Sequence, residues 1–146
     1  MKYILFTAII FFSLTSFGQI TENETAVVHH TIGVGHEMTG YPILKYVVEG
    51  DMMRYTFIYK NEEYVRGDDV KFFTFLSNEI GLDYFYEFLM DSFNKKEARE
   101  IRMGDVTVIA EKEKSSLKIT VKHPDQASGW FKIKEKPLER LFGKLK

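Results

Sequence analysis

The chain has 146 residues, no cysteine, and 20 Lys and Arg against 21 Asp and Glu, for a net charge of −1. The absence of cysteine excludes a disulfide scaffold, a cysteine-ligated zinc site and thiol catalysis. Ordinary apolar and charged fractions of 45% and 28% exclude a low-complexity chain, and the balanced charge gives no reason to expect nucleic acid as the main partner.

Met1-Lys2 is a short positive start, and residues 3–17 form an uncharged apolar run, YILFTAIIFFSLTSF. Fifteen residues fall short of the roughly 20 that cross a bilayer comfortably. The run ends on Ser16-Phe17-Gly18, with small residues where a signal peptidase reads. Residues 1–18 are therefore expected to be a signal peptide, cleaved after Gly18, with residues 19–146 as a single α+β domain. The expected location is the periplasm or the exterior. No second long apolar run follows.

Residues 19–25 are polar. A strand is expected over 26–32, with Val28, His30 and Ile32 on one face. Gly33, Gly35 and Gly40 then loosen the chain before Pro42. Ile43–Glu49 reads as a strand with Leu44, Tyr46 and Val48 on one side. The Glu49-Gly50-Asp51 turn leads into Met52–Lys60, where Met53, Tyr55, Phe57 and Tyr59 alternate with polar or outward positions. This is the clearest two-residue period in the chain, and the pair predicts a hairpin. A short strand at Tyr64-Val65 and another over 70–76 follow. The ladder Tyr55, Phe57, Tyr59 is assigned to the core, together with Phe72, Phe73 and Phe75, because an apolar sheet face needs a covering layer.

That cover is expected from an amphipathic helix, DYFYEFLMDSFNKK, with Leu82, Phe85, Phe88, Leu89 and Phe93 at three- and four-residue spacing. Ser77 and Asn78 are good caps, but Gly81 weakens that turn and points to Asp83 as the start. Lys95 and Lys96 suit the negative end of the helix dipole. Strands are then expected at 100–103, 106–111, 116–122 and 130–134, followed by a short helix opened by Pro137, with Leu138, Leu141 and Phe142 as its apolar stripe. The fold expected is an antiparallel β-sheet packed against one central amphipathic helix, with a short C-terminal helix.

A signal ending in Phe-Gly-Gln, the YTFIYKN strand, the DYFYEFLMDSF helix, a hairpin interrupted by Gly-Asp and a terminal LERLFGK together resemble small exported proteins of unknown function from Bacteroidota, flavobacteria especially. The resemblance implies a Gram-negative exported α+β protein and carries no activity or site residues.

No nucleophile elbow, Walker A loop, H-E-x-x-H or EF-hand loop is present. Nothing calls for a cofactor. His29, His30 and His36 are candidate metal ligands, but neighbours on a strand point to opposite faces, so only one of the first two can join His36. The pairs Glu62-Glu63 and Asp68-Asp69 read as solvated turn residues. The least ordinary feature is charge. Residues 112–146 hold ten Lys and Arg against four Asp and Glu, whereas 19–111 hold nine against seventeen. Lys118 and Lys122 share one strand face, and Trp130, Lys132 and Lys134 share another. If those strands pair, they make a basic face suited to an anionic polymer or an acidic protein. The expected function is a non-enzymatic exported binding module acting through that face. The alternatives are a periplasmic enzyme with dispersed catalytic residues and a histidine-based metal-binding protein.

Overall fold

The computed structural model describes residues 27–63 and 68–145. The expected signal peptide, its cleavage site and the Tyr64-Val65 strand lie outside the described residues.

The first half is a four-stranded antiparallel meander: β1 (His30–Val34), β2 (Ile43–Glu49), β3 (Met52–Lys60) and β4 (Val70–Ser77), in that order across the sheet. The turn between β2 and β3 is tight and needs a left-handed residue, which Gly50 supplies at φ 61°. Because side chains alternate, one face of this sheet is a contiguous aromatic surface. Tyr55 stacks on Phe75 across the strands at 5.2 Å, and Phe57 stacks on Phe73 at 5.2 Å. Phe72 falls on the opposite face and is 59% exposed, so the expectation that all three phenylalanines are core fails at this position. The period of two that buries Phe73 and Phe75 turns Phe72 outward.

Helix α1 (Glu79–Ser92) follows β4 directly. Its cap is Asn78, not Asp83: the Asn78 side-chain oxygen accepts from the Gly81 backbone N–H at 2.9 Å. Gly81 supports this start instead of weakening it, since a Cβ there would collide with the Ser77 hydroxyl. The helix also ends before Lys95 and Lys96, with no basic residue in its last turn. Its final carbonyls, those of Met90, Asp91 and Ser92, accept from the backbone N–H groups of Phe93, Asn94 and Lys95 at 3.0 to 3.3 Å. The Phe88 carbonyl accepts from the Ser92 hydroxyl at 2.7 Å and from the Arg99 guanidinium, which also lies 4.7 Å above the Phe88 ring.

The second half is another antiparallel meander: β5 (Arg99–Met103), β6 (Val106–Glu113), β7 (Ser116–Lys122) and β8 (Gly129–Lys134), again in chain order. Helix α2 (Glu135–Leu141) closes the described fold, with Leu138, Leu141 and Phe142 buried as the sequence predicts. The architecture is therefore α+β and antiparallel, but the expected single sheet against a central helix is corrected to two sheets in a sandwich-like arrangement. The reason is the amount of apolar surface. Each sheet presents a full inner face, the first through Leu44, Tyr55 and Phe57 and the second through Val108, Ile119 and Phe131, all buried. One 14-residue helix cannot cover both, so the sheets also cover each other.

The joint is aromatic. Phe131 of β8 packs against Phe57 at 5.7 Å and Tyr59 at 5.1 Å. Phe85 of α1 fills the adjoining space, edge-on to Phe57, Phe75 and Phe142 at 5.7 to 6.3 Å. At the other side α2 rests on β1. A Cβ on Gly33 would run into the backbone carbonyls of Arg140 and Leu141, so the two chains meet where a side chain is missing. A register shift between Thr31 and Gly33 marks the same place as a bulge. Among the described residues no helix is long and apolar enough to cross a membrane.

Candidate functional site

The register of the second sheet settles where the candidate basic residues point. Lys118 pairs with Lys132, Thr120 with Trp130 and Ser116 with Lys134 across β7 and β8. Leu117, Ile119, Val121, Phe131 and Ile133 are buried on the inner face. Lys118, Lys122, Trp130, Lys132 and Lys134 consequently share the outer face. The structure brings all five together.

Trp130 is half-buried on that face because lysine stems cover it. The Lys118 ammonium lies 5.0 Å from its ring centre and that of Lys132 5.7 Å. Both ammonium groups lie over the indole ring, an arrangement in which cation–π attraction and packing of the stems act together. Two lysines stand directly opposite each other here, a pairing that like charges disfavour and that a carboxylate near both offsets.

The sequence reading missed the acids of this face. Glu113, the last residue of β6, reaches Lys132 at 2.5 Å and Lys118 at 4.0 Å. Its hydrogen bond to Lys132 holds the Glu113 carboxyl below the usual carboxylate range and lifts the Lys132 ammonium. Glu111 sits opposite Lys118 in the same sheet. A signal for both existed: β6 and β7 are joined by Lys114-Ser115 alone, so the two-residue turn fixes which positions of β6 share a face with Lys118. Lys122 and Lys134 are exposed and form no ion pair among the described residues.

The free edge of β8 is closed by the segment after β3. The Trp130 N–H donates to the Asn61 side-chain oxygen at 3.0 Å, the Glu62 N–H donates to the Trp130 carbonyl at 2.8 Å, and the Lys132 N–H donates to the Glu62 carboxylate at 3.2 Å. Asn61 is itself buried and donates to Asp69 at 2.7 Å. These bonds protect an edge strand and fix the Trp130 backbone against the first sheet.

The histidines do not converge. His29 is exposed, His30 stacks on Tyr46 at 4.9 Å, and His36 lies in the β1–β2 loop. Among the described residues no three His, Asp or Glu side chains stand where one metal ion would bind them all. His123 is occupied elsewhere, with Nε2 3.0 Å from the Tyr59 hydroxyl and Nδ1 3.1 Å from the Gln126 amide. Burial, reinforced by the nearby Lys71 charge, lowers the His123 pKa, and burial raises that of Tyr59, so both sit in the pair as neutral groups.

A cleft of about 490 Å³ opens where the β1–β2 loop overhangs the junction of the two sheets. His36, Tyr41 and Pro42 come from the loop, Lys60 and Glu62 from the end of β3, Phe131 from β8 and Arg140 from α2. The loop is held by its own backbone: Gly35 N–H to the Pro42 carbonyl at 2.8 Å and Gly40 N–H to the His36 carbonyl at 2.9 Å. No protein-family model, no curated protein and no solved structure matches the chain.

Proposed function

We propose that the chain is an exported binding module that engages an anionic polymer or an acidic protein through the outer face of its second sheet. The observation that carries this reading is Trp130 with the Lys118 and Lys132 ammoniums over its ring, and Lys122 and Lys134 on the same face with no ion pair among the described residues. An indole flanked by cations offers a flat apolar contact and charge together, which is what a surface needs to hold an acidic chain without enclosing it.

Trp130 is the only tryptophan in the chain, so its fluorescence reports on this face directly. Titration with poly-L-glutamate at low salt is expected to change the emission, and the affinity is expected to fall steeply as salt rises from about 0.05 to 0.5 M, as the Debye length shortens. Replacing Lys118, Lys122, Lys132 and Lys134 together by glutamine abolishes the change. Glu113→Gln strengthens it, because that substitution releases Lys132 and Lys118 from their carboxylate. Binding that survives both the salt and the four substitutions overturns the reading.

A further inference from the structure

The cleft beneath the β1–β2 loop adjoins the outer face and shares Lys132 with it. Its volume, about 490 Å³, is in the range of small-molecule pockets. Its walls are apolar, cationic and acidic; the acids are Glu37 and Glu62, and the Glu62 carboxylate is turned to the Lys132 backbone N–H at 3.2 Å. Tyr41, Pro42 and Phe131 give an apolar floor, with Pro42 and Phe131 themselves buried. Lys60 and Arg140 enter from different elements, the end of β3 and helix α2, and place two cations at the rim. Lys132 contributes its stem, since its ammonium is drawn to Glu113 on the outer face.

The state of those two cations decides what the cleft takes. Lys60 pairs with Asp68 at 2.8 Å and Arg140 with Glu37 at 3.4 Å. Both carboxylate partners are almost free in solvent: the Asp68 side chain is 89% exposed and that of Glu37 78%. Ion pairs of this kind contribute little, because an exposed carboxylate regains its full hydration on leaving. An anionic head that arrives attached to an apolar body loses less. Its body is buried against Tyr41, Pro42 and Phe131, and its head replaces carboxylates that return to water without penalty. A cationic or uncharged ligand gains only the apolar part.

We infer that this cleft binds a small amphiphile with a single carboxylate or phosphate head and a short apolar body, the head at Lys60 and Arg140 and the body against Tyr41, Pro42 and Phe131. The inference does not rest on the polyanion face, although Lys132 borders both, and the two are told apart by where binding is felt. The probe is octanoate, with octanol and octylamine as matched controls, followed through amide chemical shifts of the ¹⁵N-labelled protein. Octanoate is expected to shift the amides of residues 36–41, Lys60 and Phe131, and octanol to bind about tenfold more weakly for want of the charged contact. Lys60→Gln brings octanoate down to the level of octanol, and Lys60→Arg restores it. Arg140→Gln is the second variant and weakens octanoate in the same way. Octanol or octylamine binding as tightly as octanoate overturns the inference, as does an octanoate affinity indifferent to both substitutions or the absence of any shift. Shifts centred on Lys118 and Trp130 overturn it as well and assign the anion to the outer face.

Discussion

Leu89→Ala tests whether α1 is a structural partner of the sheets or an appendage to them. Leu89 is 0% exposed and lies in one continuous buried cluster with residues of both sheets and both helices. The substitution removes three carbons, about 2.4 kcal/mol at roughly 0.8 kcal/mol per buried methylene. A cavity term adds to this because the surrounding structure relaxes only in part. Relaxation is restricted here: Phe85, one turn before Leu89, is held edge-on between Phe57, Phe75 and Phe142, and a ring in such a lattice does not move into a void. The expected loss is about 3 to 5 kcal/mol, a large part of the roughly 5 to 15 kcal/mol that holds a domain together. Urea denaturation followed by circular dichroism is expected to show the midpoint falling by about 2 M with an unchanged slope, given slopes of about 1 to 3 kcal/mol per molar for small domains. Tyr84→Ala, at a helix position 67% exposed, is the control and is expected to stay within about 0.5 kcal/mol. If Leu89→Ala costs no more than Tyr84→Ala, the helix is peripheral and the packing argument fails.

Two further perturbations address other parts of the fold. Burial and the Lys71 charge lower the His123 pKa below its ordinary 6.5 in the folded protein, so the unfolded chain takes up the proton first. His123 therefore contributes stability that is complete above about pH 6.5 and lost as the pH falls toward its folded value. Urea midpoints measured between pH 7.5 and 5.5 are expected to decline, and His123→Gln flattens the decline; a slope unchanged by that substitution refutes the assignment. Gly33→Ala forces a methyl group against the Arg140 and Leu141 carbonyls and is expected to cost about 1 to 3 kcal/mol, with faster amide exchange in α2. An unchanged melting temperature shows that α2 does not rest on β1.

Much of the local structure was legible because it depends on residues close in sequence. The Met52–Lys60 strand, its hairpin with Ile43–Glu49, and the stripe of Phe85, Leu89 and Phe93 were all readable from spacing. The errors came where the deciding partner lies elsewhere. Asn78 is the cap of α1 because its side chain accepts from the Gly81 N–H, with the Ser77 hydroxyl where a Cβ on Gly81 would stand, whereas Gly81 alone reads as a weakness. Phe72 was grouped with its neighbours by composition, while strand alternation sets it apart. For the candidate site, the lysines and Trp130 were visible as even-numbered spacings. Glu113 was not, because its charge reaches them only through the pairing of β6 with β7.

By itself the sequence determined the long strands, the two helices and the inward and outward faces of β3, β7 and β8, since these follow from backbone periodicity and from burial of apolar groups. Only the tertiary structure decided that the strands form two sheets, since a strand's alternation is the same whichever neighbour it pairs with. The tertiary structure alone also created the cleft. Its loop, its β3 cation, its β8 ring and its α2 guanidinium come from positions 36 to 140, brought together when Phe131 packs on Phe57 and Tyr59 and α2 settles on Gly33. A pocket assembled from four separate elements has no period, and contacts over such distances leave no mark in the order of residues.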